Sequence, residues 1–149
     1  MKDIEEKIKL ELEKANLNNE VPNVAILLNE KDELVSIAYN ERNRTNKISN
    51  HAEIIAIEKF AIKNNSWNLK GFKIIVTLEP CLMCTGAIIQ SKISNIYFYV
   101  KNEKMGYILS NHSINLSNIK VQQIENKTSD LIKDKLNNFF KLKRNDKNE

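Results

Sequence analysis

The chain has 149 residues, 42% hydrophobic and 28% charged, with a formal net charge of +4 at pH 7. That balance excludes a disordered chain and predicts one globular domain over residues 1–149. No apolar run approaches the roughly 18–20 residues that span a bilayer, so no membrane role is expected. The charged opening Met1-Lys-Asp-Ile-Glu-Glu-Lys-Ile8 reads as neither a secretory signal nor a transit peptide, and a cytoplasmic protein is expected.

Asp3–Asn18 predicts a helix, because Ile4, Ile8, Leu12 and Ala15 recur at helical spacing with Glu and Lys between them. Val24–Leu28 and Leu34–Tyr39 are apolar runs flanking Asn29-Glu-Lys-Asp32, which predicts a β-hairpin. Asn40–Asn50 is polar and aperiodic and reads as a loop. His51–Lys63 predicts a second helix, with Ser49 and Asn50 as capping candidates. After a loop at Ser66–Gly71, the β-branched run Phe72–Thr77 predicts a buried strand. Cys81–Ser91 predicts a third helix. Gly86 inside it costs about 1 kcal/mol against alanine, which points to close packing there. Ile93–Val100 predicts another strand, Lys101–Ile119 is irregular, and Ile119–Ile124 is a candidate fifth strand. Asp130–Lys143 closes the chain as an amphipathic helix with Leu131, Leu136, Phe139 and Phe140 as its apolar residues and Thr128 or Ser129 as cap. Strands alternating with helices predict a three-layer α/β/α domain around a parallel or mixed sheet.

Cys81 and Cys84 are the only cysteines, and His51 is one of two histidines; the other, His112, sits in the polar stretch and reads as a surface residue. Residues i and i+3 of a helix share a face, so both thiolates can reach one zinc at about 2.3 Å, with an imidazole at about 2.0–2.1 Å as third ligand. Three protein ligands leave a fourth position for water, as in a catalytic site. Each residue has a second reading. The Cys81–Cys84 pair at a helix start also suits a thiol–disulfide couple or a small core pair, and Asn50-x-x-Glu53 also fits a capping box.

Taken together, His51-x-Glu53 followed by Pro80-Cys81-x-x-Cys84 is the signature of zinc-dependent nucleobase deaminases, in which the glutamate is a proton carrier and not a ligand. The segment Val76-Thr-Leu-Glu-Pro-Cys-Leu-Met-Cys-Thr-Gly-Ala-Ile-Ile-Gln-Ser-Lys-Ile93 further resembles the bacterial tRNA-specific adenosine deaminase family. So do Glu20-Val-Pro22, Asn40 placed eleven residues before His51, Ser66-Trp67 with Leu69-x-Gly71, and Phe139-Phe140-Lys-Leu-Lys-Arg144. The resemblance implies a cytidine-deaminase-like α/β/α fold with a mixed sheet, one zinc per subunit on His51, Cys81 and Cys84, and Glu53 as catalytic residue. It implies a homodimer that converts the wobble adenosine, position 34 of a tRNA anticodon, to inosine. By position, Asn40 would contact the flipped nucleoside and Ala52 and Pro80 would help line its pocket. Phe139, Phe140, Lys143 and Arg144 would meet the anticodon loop, where aromatics stack on splayed bases and cations meet phosphates. The basic tail Lys141–Lys147 suits such a polyanion. The sequence departs from the family's pattern at Val24 and Tyr99, where glycine is usual, and at Asn102, where aspartate is usual.

Three further readings stand beside this one. The same zinc core serves deaminases of free guanine, cytosine or cytidine; a zinc-stabilised RNA-binding module would lack the reaction; and a thiol–disulfide oxidoreductase would need no zinc.

Overall fold

Ile8, Leu12 and Ala15 are buried along one face of helix α1 (Lys2–Leu17), the stripe that the helical spacing predicts. The structure, a computed structural model, describes residues 2–111 and 115–147; His112 lies outside them. Strands β1 (Val24–Leu28) and β2 (Leu34–Tyr39) form the hairpin, turned by Asn29, whose Oδ1 accepts the amides of Lys31 and Glu33. The chain continues through α2 (Arg42–Thr45), α3 (Ala52–Lys63), β3 (Lys73–Leu78), α4 (Leu82–Gln90), β4 (Asn95–Val100), β5 (Lys120–Gln123) and α5 (Lys127–Lys147).

The five strands make one mixed sheet in the order β2-β1-β3-β4-β5. β1 is antiparallel to both β2 and β3, whereas β3–β4 and β4–β5 are parallel. Both faces are covered, as expected for three layers. Ala52, Ala56 and Ile57 of α3 and Ile88 of α4 pack on one face with Ala25, Leu27, Ile74, Val76 and Phe98. Ile8 and Leu12 of α1 and Ile132 and Leu136 of α5 cover the other with Val24, Ile26, Ile75 and Tyr99. The parallel pair β3–β4 ends at Leu78 and Val100, and the carboxyl ends of such strands are where a doubly covered sheet opens for ligands.

Four local expectations change. The Asn40–Asn50 segment holds the short helix α2, because the buried Glu20 carboxylate accepts the amides of Asn43 (3.1 Å) and Arg44 (2.6 Å) and so caps it from twenty-odd residues away. Helix α3 has His51 at its N-cap, not Ser49 or Asn50; the Asn50 side-chain Nδ2 instead donates to Thr45 Oγ1 at 3.0 Å. Helix α5 starts earlier than expected: Asn126 Oδ1 accepts the amides of Thr128 and Ser129, while Ser129 Oγ accepts the amide of Asn126. Its buried apolar residues are Ile132 and Leu136, leaving Leu131 half-buried and Phe140 45% exposed. Gly86 is not closely packed. A Cβ there would meet nothing within 4 Å, because the buried face of α4 is Cys84, Thr85 and Ile88.

Candidate active site

His51 and Cys81 occupy equivalent places, each an extended N-cap residue whose side chain makes no cap bond. The amino ends of α3 and α4 thereby meet: His51 Nδ1 lies 3.6 Å from Cys81 Sγ and 3.5 Å from Cys84 Sγ. Their donor atoms all fall within 4.8 Å of one another. Bond lengths of about 2.3 Å to sulfur and about 2.0–2.1 Å to nitrogen give a tetrahedral S···N edge of about 3.5–3.6 Å. The three side chains therefore fit a zinc ion as they stand.

The electrostatics suit a cation as well. A hydrogen bond from Cys84 pushes the Cys81 thiol down to about 4, helped by His51. The bond to Cys81, burial and the charge of Glu53 push Cys84 up. His51 is raised, first by its hydrogen bond with Cys81. Two helix N-termini add positive potential at the same point, which favours thiolate ligands.

Glu53 is on the first turn of α3, 2% exposed, and burial raises its pKa. It takes no part in a capping box. Its Oε1 accepts from Asn23 Nδ2 at 2.9 Å, a partner thirty positions away. Asn23 precedes β1 and was not singled out by its sequence context. Asn40, buried, is held on both sides: its amide N–H donates to Asn23 O and its side-chain Nδ2 to Glu20 Oε2 at 3.4 Å. Arg42 Nη1 lies 3.4 Å from His51 Nε2, the ring nitrogen turned away from the sulfurs.

These groups line one open groove. His51, Glu53, Cys81 and Asn40 share it with Phe140, Lys143 and Arg144 of α5. Arg42, Lys101, Lys104 and Lys141 add cations to its rim, beside Glu103, Glu125 and Asp130. Ala52 and Pro80 are buried and do not line it; Ala52 faces the core beneath α3. Phe139 lines a neighbouring cleft with Leu12, Pro22 and Lys143, packs edge-on against Phe140 at 5.4 Å and lies 5.7 Å from Lys143 Nζ.

The irregular segment after β4 also belongs to the groove, and Glu79 organises it. The buried Glu79 carboxylate accepts the amides of Asn102, Ile108, Leu109 and Ser110 and the Ser110 hydroxyl. Burial pushes its pKa up, but the bonds from Ser110, Leu109 and Asn102 outweigh burial and leave it below the ordinary carboxylate value. Tyr107 N–H donates to Pro80 O, and Gly106 bridges to Cys81, so the segment lies directly beside the metal ligands.

Known proteins place this geometry. The cytidine and deoxycytidylate deaminase zinc-binding region matches residues 2–100, through the end of β4. A tRNA-specific adenosine deaminase of Rickettsia bellii is 38% identical over 94 residues, covering 62% of this chain and 65% of the relative. One from Aquifex aeolicus is 35% identical over 100 residues, covering 67% and 66%. The chain thus spans a little under two thirds of the length of these curated relatives. A structure from work on A-to-I editing by tRNA:A34 deaminases at the wobble position of transfer RNA superposes with a TM-score of 0.71 at 27% identity, over 77% of this chain and 92% of that one. The guanine deaminase of Nitrosomonas europaea, at 17% identity and a TM-score of 0.69, shares the fold. With its fold, its His51–Cys81–Cys84 donor set and this match, the chain belongs to the family of the cytidine and deoxycytidylate deaminase zinc-binding region, a zinc-dependent family.

Proposed function

We propose that the protein deaminates adenosine to inosine at the wobble position, 34, of tRNA anticodons. One observation carries the reading: a buried carboxylate, Glu53, stands beside the His51–Cys81–Cys84 set in a groove that stays open and runs out along a basic helix. A site for a free base or nucleoside would bury most of its ligand. An open groove rimmed by Arg42, Lys101, Lys143 and Arg144, with the exposed ring of Phe140, instead suits a nucleotide presented by a larger RNA. The relatives named tRNA-specific adenosine deaminase support the same choice.

His51, Cys81 and Cys84 would hold the zinc, which when bound supplies a Lewis acid that makes water nucleophilic near neutral pH. Glu53 is the proton carrier: it accepts a proton from the attacking water, delivers it to the purine ring nitrogen and returns the next to the departing amine. Burial suits that task, since it raises the carboxylate's affinity for a proton. Asn40, fixed by Glu20 and by its own backbone bond, orients the flipped nucleoside, while Phe140, Lys143 and Arg144 meet the loop that carries it. Phe139 braces Phe140 from the adjoining cleft. The proposal extends to a cytoplasmic homodimer. Leu82, 51% exposed at the rim, is an apolar side chain that a second copy would cover.

The test is an anticodon stem-loop with adenosine at the wobble position, assayed beside free adenosine, cytidine, cytosine and guanine. Inosine formed only in the RNA, and cut to a small residual single-turnover rate in Glu53→Ala with about one zinc per chain retained, is the expected result. Turnover of a free base or nucleoside, with none on the RNA, would overturn it.

A further inference from the structure

We infer that Asn23 is the positioning residue for Glu53, fixing which carboxylate oxygen faces the reaction. The inference rests on the reading of Glu53 as proton carrier. Terminal carboxylate torsions are broad and roughly two-fold, so a glutamate side chain by itself does not hold one oxygen in one place. Here Asn23 supplies that constraint, and the surrounding bonds leave its amide only one orientation.

Thr77 Oγ1 accepts the amide of Val24 at 2.9 Å, so its own proton is free to go to Asn23 Oδ1, also at 2.9 Å. The amide of Leu78, a donor with no alternative role, points at the same Oδ1 from 3.3 Å. Two donors converge there, which identifies that atom as the oxygen and the other as nitrogen. Nδ2 is thereby turned to Glu53 Oε1 at 2.9 Å. The backbone fixes the other end: Asn23 N–H donates to Val21 O at 2.7 Å and Asn23 O accepts from Asn40 at 3.1 Å.

Asn23 immediately precedes β1, and Thr77 lies on β3, where Val24 stands opposite it one step beyond the Ala25–Val76 pair. Through Asn23 the carboxylate is therefore referenced to Thr77 and Leu78 of the central strand β3. With Oε1 engaged, Oε2 is the oxygen presented to water and purine. Asn23 is 6% exposed and borders the groove beside Glu53, and the role assigned to it is to act through that carboxylate.

The experiment compares Asn23→Leu, which keeps the shape and removes the donor, with wild type, in both the native and the Glu53→Ala backgrounds. It is read by steady-state kinetics in the native background and single-turnover kinetics in the Glu53→Ala background, on whichever substrate of the panel above wild type converts. Asn23→Leu is expected to lower kcat about 10–100-fold, the usual loss for a residue that orients a catalytic group from behind. KM and zinc content should stay within twofold, and in the Glu53→Ala background the substitution should change the residual rate less than twofold. Equal losses in both backgrounds, or a change confined to KM, would overturn the inference. A crystal structure of the zinc-loaded variant needs no turnover and so remains decisive if the tRNA reading fails. A Glu53 carboxylate that rotates or splits between two orientations supports the inference; one that keeps its wild-type position refutes it.

Discussion

Gly106 and Glu79 are packed so that no side chain fits between them: a Cβ on Gly106 would stand 2.5 Å from Glu79 Cδ and 2.5 Å from the carbonyl oxygen of Asn102. Neither neighbour can yield, since Glu79 is held by four amides and a hydroxyl, and Asn102 O accepts the amide of Gly106 itself. Gly106→Ala is therefore expected to lower unfolding free energy by about 1–3 kcal/mol, the usual cost of overpacking. Amide exchange at Asn102 and Ile108–Ser110 should quicken, with zinc content unchanged. Exchange rates equal to wild type would contradict this packing.

Tyr99 stands where the resembling family usually has glycine. Its ring is buried between α1, α5 and the sheet, and its hydroxyl has no hydrogen-bond partner among the described residues. An unsatisfied buried hydroxyl costs about 1–3 kcal/mol. Tyr99→Phe should accordingly raise the urea midpoint, by about 1 kcal/mol in stability, with the slope unchanged. A lower midpoint would show that the hydroxyl has a partner after all.

The two thiols differ in access: Cys84 is wholly buried and Cys81 half-buried. With zinc bound, both should resist iodoacetamide. After chelation, alkylation mapped by mass spectrometry should appear first on Cys81, and deamination should disappear. Labelling of both sites at equal rates would mean that α4 has come loose from the sheet. Labelling before chelation would mean that the thiols do not hold the metal.

Phe140 and Lys143 differ in what they offer an RNA loop, a stacking face and a point charge. Stacking is worth about 1–3 kcal/mol per base, so Phe140→Ala should raise KM for the stem-loop by about 5–150-fold at any salt concentration. Lys143→Ala should weaken binding and also flatten its dependence on salt. Titrations across a salt series separate the two; parallel behaviour of both variants would place α5 outside the RNA-binding surface.

The hairpin strands were legible to the residue, because apolar runs flank a turn whose Asn29 side chain closes it locally. The metal ligands were legible for a related reason. Cys81 and Cys84 are three apart, and His51 and Glu53 two apart, so each pair announces itself within one helical turn. What stayed hidden depends on register across the sheet or on distant capping. Asn23 meets Glu53 because Val24 stands opposite Thr77, which no local pattern encodes. Helix α2 exists because Glu20 caps it from a separate segment. Gly86 misled in the other direction, since a glycine in a helix need not mark a close contact.

Four of the five bonds to Glu79 come from main-chain amides. Such a grip reads the path of the chain from Asn102 to Ser110 and is nearly indifferent to what its side chains are. The segment is thus free to exchange residues at Glu103, Lys104 and Met105, all on the groove, while its backbone stays moored beside Cys81. Drift in what the groove admits can proceed there without loosening the metal ligands, so that selectivity and reactivity answer to separate mutations.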